Sequence, residues 1–523
     1  MRKMNRALHI DFHTMPGIHD FNRDWDAGLF ARQLKEAQID YINAFARCNI
    51  GFAYYPTKVG LPYPNMKGDM FGDLLEACHR EGIGVSAYVN VGLAHEQGSR
   101  RPDWLRLDRE GRIIRGDRTA NFFRTLCYTN PDYHAYNIAM LKEICDYEID
   151  ELFLDCMVVE PCYCRHCLLK MKALGIDPDD PIANARFQED CMLAFGEEVK
   201  KILGSERYLY LNGLSYSLAR HLDTHLEIEC LPGSWGYDYF WPAVSYARTL
   251  QEHVIYMTGR FQKSWGDFGG LKCKASLEHD YYDALCAGVA ISVGDHMHPA
   301  KTLEPAVCQM IGEINSWLEP LEKQIAGTRY QADLALLIAS RRVINPDQPG
   351  SGSLVTESLA GAARLLGELK QSFDVIDETM DFEPYSLLIL PDELDGDDQQ
   401  LADKLSAYLA NGGKILASGT AAVKKDESGF LLPAYDFDFA GIESANVSYY
   451  RMTQKDDPKL PDLDYNMYCP EGVLFWTKDE VLALSVKSYF NRHWDGIHGY
   501  FYTPPERETG YAAAAIRSDR TYG

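Results

Sequence analysis

The sequence has few positive charges for its length, and several features that mark common protein classes are missing from it. Its 523 residues include 52 Lys or Arg and 76 Asp or Glu, for a net charge of -24 at pH 7. Nucleic-acid binding relies on clustered Lys and Arg, so this charge argues against a nucleic-acid partner. No basic amphipathic run indicates a membrane surface, and no apolar run reaches the ~18 residues that cross a bilayer. The basic N-terminus lacks an apolar core, so we expect no signal peptide and a cytoplasmic protein.

Internal repeats, low-complexity segments and nucleotide-binding fingerprints are also missing. No G-x-G-x-x-G follows the apolar run at residues 334–340, so a dinucleotide site is not expected and no organic cofactor is predicted. Residues 328–428 contain no cysteine. This excludes the thiol nucleophile that amidotransferases of similar architecture use.

The first part of the chain alternates short apolar runs with amphipathic, helix-like stretches. The eight runs lie at residues 7–12, 41–45, 85–90, 151–155, 208–212, 225–229, 253–257 and 288–292. Parallel strands that are covered on both faces are nearly continuous apolar runs, as these are. Eight such units in this length predict an α/β fold, a (β/α)8 TIM barrel over residues 1–327.

A second, smaller α/β pattern follows. Apolar runs at residues 334–340, 373–378, 386–392 and 414–419 alternate with helical patterns, one of which ends in the stop signal Asn411-Gly412-Gly413. This predicts a doubly wound α/β domain over residues 328–428, which we interpret as an assembly or support domain. From 429 to 523 the pattern is β-rich and aromatic. We expect a small C-terminal β domain there, and since the chain stops just after a strand-like segment, an incomplete one.

The ends of the predicted barrel strands carry acidic, amide and aromatic side chains. Active sites of such barrels lie at the C-terminal ends of the strands. Carboxylates and amides bind hydroxyl groups, and aromatic faces stack on the C–H surfaces of sugar rings, so these residues predict a carbohydrate site. The residues expected to bind substrate are His13, Arg47, Glu227, Trp265, Asp267, Asp295, His296 and His298, and Asn90 and Asn212 stand on the same rim.

Two carboxylates, Asp155 and Glu229, each end an apolar strand and form the predicted catalytic pair. Glycoside cleavage needs two carboxyl groups across one bond, ~5 Å apart for retention of configuration and ~6.5–9.5 Å apart for inversion. We assign Asp155 as the nucleophile and Glu229 as the general acid/base. The structural alternative for each is a cap on the following helix. Glu160, which follows the fourth strand closely, is an alternative acid/base.

Most of the 14 cysteines stand singly in apolar segments, where reduced, buried thiols are expected. A C-x-C-x-x-C cluster is formed by Cys162, Cys164 and Cys167. Tetrahedral zinc takes four ligands, and Cys127 and Cys156 are the candidates for the fourth. We favour Cys127, because a metal bound by Cys156 would draw Asp155 toward it. Four thiolates leave no open position, so the predicted zinc is structural.

Several stretches of the chain together match one group of known enzymes. They are HIDFHT, AFARCNIGFAYYPTKVG, VSAYVNVGLAHE, FLDCMVVEPCYCRHC, EIECLPGSWGYD, MTGRFQKSWGDFGG, ISVGDHMHP, NRHW and YTPP. In these stretches the chain resembles the bacterial α-L-fucosidases of glycoside hydrolase family 151 and a broader set of barrel proteins known as hypothetical glycosyl hydrolases. The group is similar in architecture to family 42 β-galactosidases, which have a barrel, a flavodoxin-like trimerisation domain and a small β domain.

The resemblance carries several expectations. It implies an enzyme that hydrolyses O-glycosyl bonds, and a homo-oligomer, either a trimer or a dimer. In family 42 a cysteine after the third strand joins a C-x-C-x-x-C after the fourth to bind zinc, and Cys127 with the cluster matches that pattern. Family 42 also places Asn-Glu, with the Glu as acid/base, where this chain has Leu154-Asp155.

An Asp at the end of the fourth strand resembles the nucleophile of retaining α-L-fucosidases instead. The resemblance therefore favours a retaining, α-L-fucosidase-like exo-glycosidase. The alternatives are a β-galactosidase-like or other exo-glycosidase on the same scaffold, and a non-catalytic carbohydrate-binding protein.

Overall fold

The computed structural model describes residues 4–114, 124–157, 159–300, 302–340, 354–392, 398–432, 437–443, 445–454, 459–467, 472–517 and 521–522. The chain divides into two compact units. The first is Met1–Tyr330 with Arg341–Leu354, and the second is Gln331–Ser340 with Val355–Gly523.

The first unit is built on eight parallel strands. They are β1 (Arg6–Asp11), β2 (Tyr41–Arg47), β3 (Gly84–Asn90), β4 (Glu151–Asp155), β5 (Tyr208–Leu211), β6 (Leu226–Glu229), β7 (Val254–Gly259) and β8 (Ala290–His296). Their hydrogen-bonded order is β5-β4-β3-β2-β1-β8-β7-β6, parallel throughout. A gap remains between β5 and β6, the two ends of this order. Beside it the backbone N–H of Thr224 donates to the carbonyl of Leu209 in β5 at 3.0 Å. The sheet is a nearly closed barrel, and the predicted TIM barrel is confirmed.

Eleven helices of this unit follow or flank the strands. They are α1 (Ala27–Glu36), α2 (Met70–Arg80), α3 (His95–Arg100), α4 (Pro131–Cys145), α5 (Arg165–Leu174), α6 (Pro181–Leu203), α7 (Tyr216–Ala219), α8 (Pro232–Trp235), α9 (Phe240–Leu250), α10 (Lys274–Ala287) and α11 (Pro305–Ile325). Local sequence explains where they begin: Asn130 and Asp180 cap α4 and α6, each followed by a proline whose missing N–H costs nothing there. None of the described helices is long and apolar enough to cross a membrane.

The register of the parallel strands decides which side chains meet at the barrel mouth. Asp11 is aligned with His296, and Asn90 is aligned with Asp155. Beneath them the barrel interior is filled by aromatic rings, with Phe45 stacked on Tyr88 at 3.8 Å between ring centroids. The last residues of the strands therefore lie directly above a layer of packed aromatic rings.

The second unit begins with a parallel sheet of β9 (Leu334–Ile338), β10 (Phe373–Asp377), β11 (Leu387–Leu390) and β12 (Lys414–Ala417), in the order β10-β9-β11-β12. Helices α12 (Glu357–Glu368) and α13 (Asp398–Ala410) connect its strands. This is the start of the flavodoxin-like strand order 2-1-3-4, and it agrees with the predicted doubly wound pattern.

An antiparallel sheet completes the second unit. Its strands are β13 (Asp438–Ile442), β14 (Ser448–Met452), β15 (Tyr465–Met467), β16 (Val473–Trp476), β17 (Glu480–Ser488), β20 (Pro505–Arg517) and β21 (Thr521–Tyr522), and a separate hairpin contains β18 (His493–Trp494) and β19 (Gly499–Tyr500). One hydrophobic core joins the two sheets, since Leu337 and Leu390 of the first belong to the same cluster as Phe475 and Ala512 of the second. The domain boundary near residue 428 stays a prediction.

Candidate active site

Asp155, the last residue of β4, is held at the barrel mouth by neighbours on three strands. Its Oδ2 accepts a hydrogen bond from the Tyr88 hydroxyl and a second from the Cys156 thiol at 3.1 Å. Its Oδ1 accepts from Asn212 Nδ2 at 2.8 Å. Cys156 has a left-handed backbone, with φ 59°, so the chain turns sharply after the carboxylate. The turn is tight against β3, because a Cβ on Gly92 would lie 1.7 Å from the Cys156 carbonyl oxygen.

Glu229, the last residue of β6, faces Asp155 across the mouth. Its Oε1 accepts from Trp265 Nε1 at 2.8 Å, and its Oε2 lies 3.4 Å from the Asn212 Nδ2 that also binds Asp155. Because one nitrogen is 2.8 Å from an oxygen of Asp155 and 3.4 Å from an oxygen of Glu229, these two oxygens lie no more than about 6.2 Å apart, below the ~6.5–9.5 Å of inverting glycosidases.

The surroundings of Glu229 favour its neutral form. Burial raises the pKa of Glu229 to about 7, the hydrogen bond from Trp265 opposes this shift, and the charge of Asp155 adds to it. A carboxyl group that keeps its proton near neutral pH is suited to donate it to a leaving oxygen.

A third carboxylate at the mouth, Asp11 at the end of β1, lies between two histidines. His13 Nε2 is 2.8 Å from Asp11 Oδ1, and His296 Nε2 is 3.4 Å from Asp11 Oδ2. Burial lowers the pKa of His13, but Asp11 and Cys48 together outweigh it and raise the pKa to about 10. Burial lowers the pKa of His296. The cluster thus presents one charged and one neutral imidazole beside the catalytic pair.

Four other predicted substrate residues lie near the end of β8 or on the segments that follow β7 and β8. Asp295 is buried and accepts from Arg260 Nε at 2.6 Å, so it is committed to an ion pair. His298 packs its ring edge-on to Phe268 at 5.9 Å between centroids. Asp267 is exposed on the loop after β7. Trp265 packs against His9, 5.2 Å between ring centroids, while its N–H serves Glu229.

Two of the predicted substrate residues are buried. Arg47 is 0% exposed and donates to the Leu93 carbonyl at 3.5 Å. The register of β2 shifts between Phe45 and Arg47, so regular alternation along the strand does not set the direction of this side chain. Glu227 does point into the barrel, but it is 1% exposed and lies below Glu229. Both were expected to bind substrate; both are fully buried, and their roles stay predictions.

Glu160, the alternative acid/base, lies beside Arg106, which donates to its backbone carbonyl at 3.1 Å. No described contact joins its carboxylate to Asp155. Asn212 therefore brings Glu229, and not Glu160, together with Asp155.

Sequence reasoning missed Asp11 and Tyr88, and it considered Cys156 only as a metal ligand. Asp11 ends its strand just as Asp155 and Glu229 do, so the same rule would have found it had the predicted strand not run one residue further. Tyr88 and Cys156 lie among apolar residues, and no local signal distinguishes them from core residues.

The predicted metal ligands do come together. Cys127 Sγ lies 3.5 Å from Cys164 Sγ, 3.5 Å from Cys167 Sγ and 3.9 Å from Cys162 Sγ, and all four are buried. Thiolates at ~2.3 Å around a tetrahedral zinc would be about 3.8 Å apart, so the four sulfurs fit such an ion. Cys156 contacts Asn90 and Asp155 instead. The cluster is a possible metal site.

The chain is similar to one protein family and to several solved structures. The family model described as Hypothetical glycosyl hydrolase 6 matches residues 26–156, which end just after Asp155. The structure of alpha-L-fucosidase isoenzyme 2 from Paenibacillus thiaminolyticus is similar over 98% of this chain and 79% of that chain, with a TM-score of 0.87 and 28% identity. The chain is a glycoside hydrolase. Its expected resemblance to the hypothetical glycosyl hydrolases and α-L-fucosidases is confirmed.

More distant structures share the fold of this glycoside hydrolase. A β-galactosidase from Bacillus circulans sp. alkalophilus matches with a TM-score of 0.69 and 16% identity, over 98% of this chain and 86% of that chain. A GH42 β-galactosidase from G. stearothermophilus matches with a TM-score of 0.69 and 14% identity, over 94% and 84%. No curated protein sequence matches the chain. The likeness to the β-galactosidases shows the fold alone.

Proposed function

We propose that this glycoside hydrolase is a retaining exo-glycosidase of α-L-fucosidase type, with Asp155 as nucleophile and Glu229 as acid/base. The observation that carries the proposal is the short separation of the two carboxylates. The two oxygens that share the Asn212 amide donor lie at most about 6.2 Å apart, a bound that admits the ~5–5.5 Å of retaining enzymes. The likeness to an α-L-fucosidase over nearly the whole chain supports the choice of sugar.

The arrangement explains a double displacement. In the first step an oxygen of Asp155 bonds to the anomeric carbon, the bond to the leaving oxygen breaks, and the Glu229 proton moves to that oxygen. In the second step Glu229 takes a proton from water, the water oxygen bonds to the anomeric carbon, and the bond to Asp155 breaks. The hydrogen bonds from Tyr88 and Asn212 fix the orientation of the nucleophile in both steps.

Other residues of the mouth would bind the sugar hydroxyls. We assign this role to His13 and His296, which Asp11 orients, and keep His298 and Asp267 as candidates on the flanking segments. Trp265 serves mainly to hold Glu229. Asp295 supports Arg260.

A panel of nitrophenyl glycosides tests the substrate, and Asp155→Ala tests the mechanism. We expect turnover of the α-L-fucoside, a loss of about a thousandfold or more in Asp155→Ala, and partial recovery with azide. Azide replaces the missing carboxylate and gives a glycosyl azide of inverted configuration. Asp146→Ala is the matched control, because Asp146 is exposed at the end of α4.

The glycoside panel and the Asp155→Ala assay distinguish the proposed function from its alternatives. Hydrolysis of a β-galactoside but not of the α-L-fucoside would replace the proposed substrate with the β-galactosidase-like alternative. Full activity of Asp155→Ala on every cleaved glycoside would refute the mechanism. A chain that binds sugars and cleaves none would be the non-catalytic carbohydrate-binding protein.

We further propose that Cys127, Cys162, Cys164 and Cys167 hold a structural zinc ion. The fit of the sulfur separations to a tetrahedral site supports this, and so do the polar neighbours: Thr129 Oγ1 lies 2.9 Å from Cys127 Sγ. Bound zinc would supply a cross-link and no chemistry, since four thiolates leave no open position. The cluster joins the segment after β3 to the segment after β4, close to Asp155.

The oligomeric state, a trimer or dimer, and the cytoplasmic location stay predictions. Light scattering on the purified chain tests the first of these.

A further inference from the structure

A second cluster of metal-binding side chain types lies inside the barrel, below the catalytic pair. Glu151 begins β4, His225 precedes β6, and Glu227 lies in β6. One ligand atom from each residue lies within 4.8 Å of the others. The three side chains are no more than 1% exposed. No part of the proposed glycosidase mechanism uses them.

Hydrogen bonding within the cluster does not satisfy its carboxylates. His225 Nε2 lies 3.3 Å from Glu151 Oε1 and 3.3 Å from Glu227 Oε1. A neutral imidazole nitrogen carries at most one hydrogen, so it serves one glutamate and not both. The Tyr41 and Ser86 hydroxyls face Glu151 and the Asn43 amide faces Glu227, but both oxygens of Glu151 and Oε2 of Glu227 lack a well-aligned hydrogen bond among the described residues. Leaving buried carboxylate oxygens poorly paired is costly, so room for a further partner is indicated.

Two hydroxyl groups next to the cluster face Glu151. The Tyr41 hydroxyl and Ser86 Oγ are completely buried and interact with the Glu151 carboxyl group, but neither makes a well-aligned hydrogen bond in the described part of the chain. Ser86 is aligned with Glu151 in the register of β3 and β4. Among the described ion pairs, the only basic side chain near either glutamate is His225. The site thus offers donor atoms and negative charge without a described cation.

We propose that Glu151, His225 and Glu227 bind a divalent metal ion of the zinc or manganese type inside the barrel. Ligands at ~2.0–2.2 Å from an ion, at tetrahedral angles, lie about 3.3–3.5 Å from each other. Both nitrogen–oxygen separations of 3.3 Å agree with this spacing and are long for a hydrogen bond. Two carboxylates and one imidazole form a common ligand set for such ions. The hydroxyl groups of Tyr41 and Ser86 are candidates for a fourth position.

The position suggests what this ion does. The hydrogen-bonded path around the barrel ends at β5 and β6, and no ladder joins these two strands in the described structure. Glu151 belongs to β4, whereas His225 and Glu227 lie at β6. An ion bound by the three residues would tie β4 to β6 across the gap. Its role is therefore structural, and it differs from the cysteine site outside the strands.

Metal analysis of the full chain tests the proposal. The variant Cys164→Ser/Cys167→Ser removes the cysteine site, so any remaining ion reports the interior site. Expressed with zinc and manganese in the medium, this variant should retain about one metal equivalent per chain. Adding His225→Ala should lower that content by about tenfold or more. His253→Ala is the matched control, because the His253 ring is 5.8 Å from the His225 ring and outside the ligand set, so it should leave the content unchanged.

A second measurement does not depend on variants. Crystals of the unaltered chain, with data collected on both sides of the zinc and manganese absorption edges, should show an anomalous peak between Glu151, His225 and Glu227. A folded Cys164→Ser/Cys167→Ser variant that contains no metal would overturn the proposal. The absence of the anomalous peak in the unaltered chain would overturn it whether or not the variant folds. The two glutamates would then be buried acids that share protons with His225.

Discussion

Replacing Trp265 with phenylalanine tests how the acid/base is held. The Trp265 N–H donates to Glu229 Oε1 at 2.8 Å, and phenylalanine keeps a ring against His9 while removing this donor. A hydrogen bond to a charged group contributes about 1.5–3 kcal/mol, and one pKa unit corresponds to about 1.36 kcal/mol. The hydrogen bond favours the carboxylate form. Its loss should therefore raise the pKa of Glu229 from about 7 by about one unit or more.

The pH profile of kcat/KM measures this shift. The first step requires protonated Glu229, so activity should fall as pH rises through the pKa of the free enzyme, near 7. In Trp265→Phe the alkaline limb should move upward by about one unit, toward pH 8, and the plateau should drop about tenfold because a weaker acid donates its proton less readily. Trp317→Phe is the control, because Trp317 is 60% exposed on α11. An alkaline limb that stays in place in Trp265→Phe would refute the role given to this hydrogen bond.

Three further predictions concern the same region. Asn212→Ala removes the shared donor and should lower kcat by about 10–150-fold, the equivalent of about 1.5–3 kcal/mol, with little change in KM in steady-state assays; a change confined to KM would contradict it. Gly92→Ala would place a Cβ 1.7 Å from the Cys156 carbonyl oxygen, so both activity and melting temperature should fall, and wild-type values for both would show that the turn is not rigid. Cys167→Ser should lower the zinc content by about one equivalent in metal analysis and lower the melting temperature; an unchanged zinc content would exclude the cysteine site.

The sequence predicts the barrel well because each strand is a continuous apolar run, the pattern that burial on both faces requires. Residues 151–155 were predicted and observed as β4, and the predicted run at 41–45 is the start of β2. The same reasoning predicts the positions of Asp155 and Glu229, which do end β4 and β6, and their catalytic roles stay predictions. The four cysteines were found from spacing together with the resemblance to family 42.

The sequence does not show how deep a side chain lies in the barrel or where a strand departs from regular geometry. Alternation along a regular strand puts Glu227 on the same side as Glu229, but it cannot tell that Glu227 lies below the mouth. Arg47 was expected just after its strand but is the last residue of β2, and a register shift between Phe45 and Arg47 breaks the alternation that would predict its direction. Such a shift depends on contacts with β3 and the short strand Phe52–Ala53, which are set by tertiary packing.

Asn212 has a consequence for how this enzyme can change. One amide nitrogen contacts both carboxylates, so a substitution there alters nucleophile and proton donor at once. Selection for a different pH range or a different sugar cannot adjust one of the two groups through this residue while sparing the other. Independent adjustment has to come from the outer contacts, Tyr88 for Asp155 and Trp265 for Glu229. Variants that retain activity with altered pH dependence are therefore expected to accumulate around those two aromatic residues, with Asn212 unchanged.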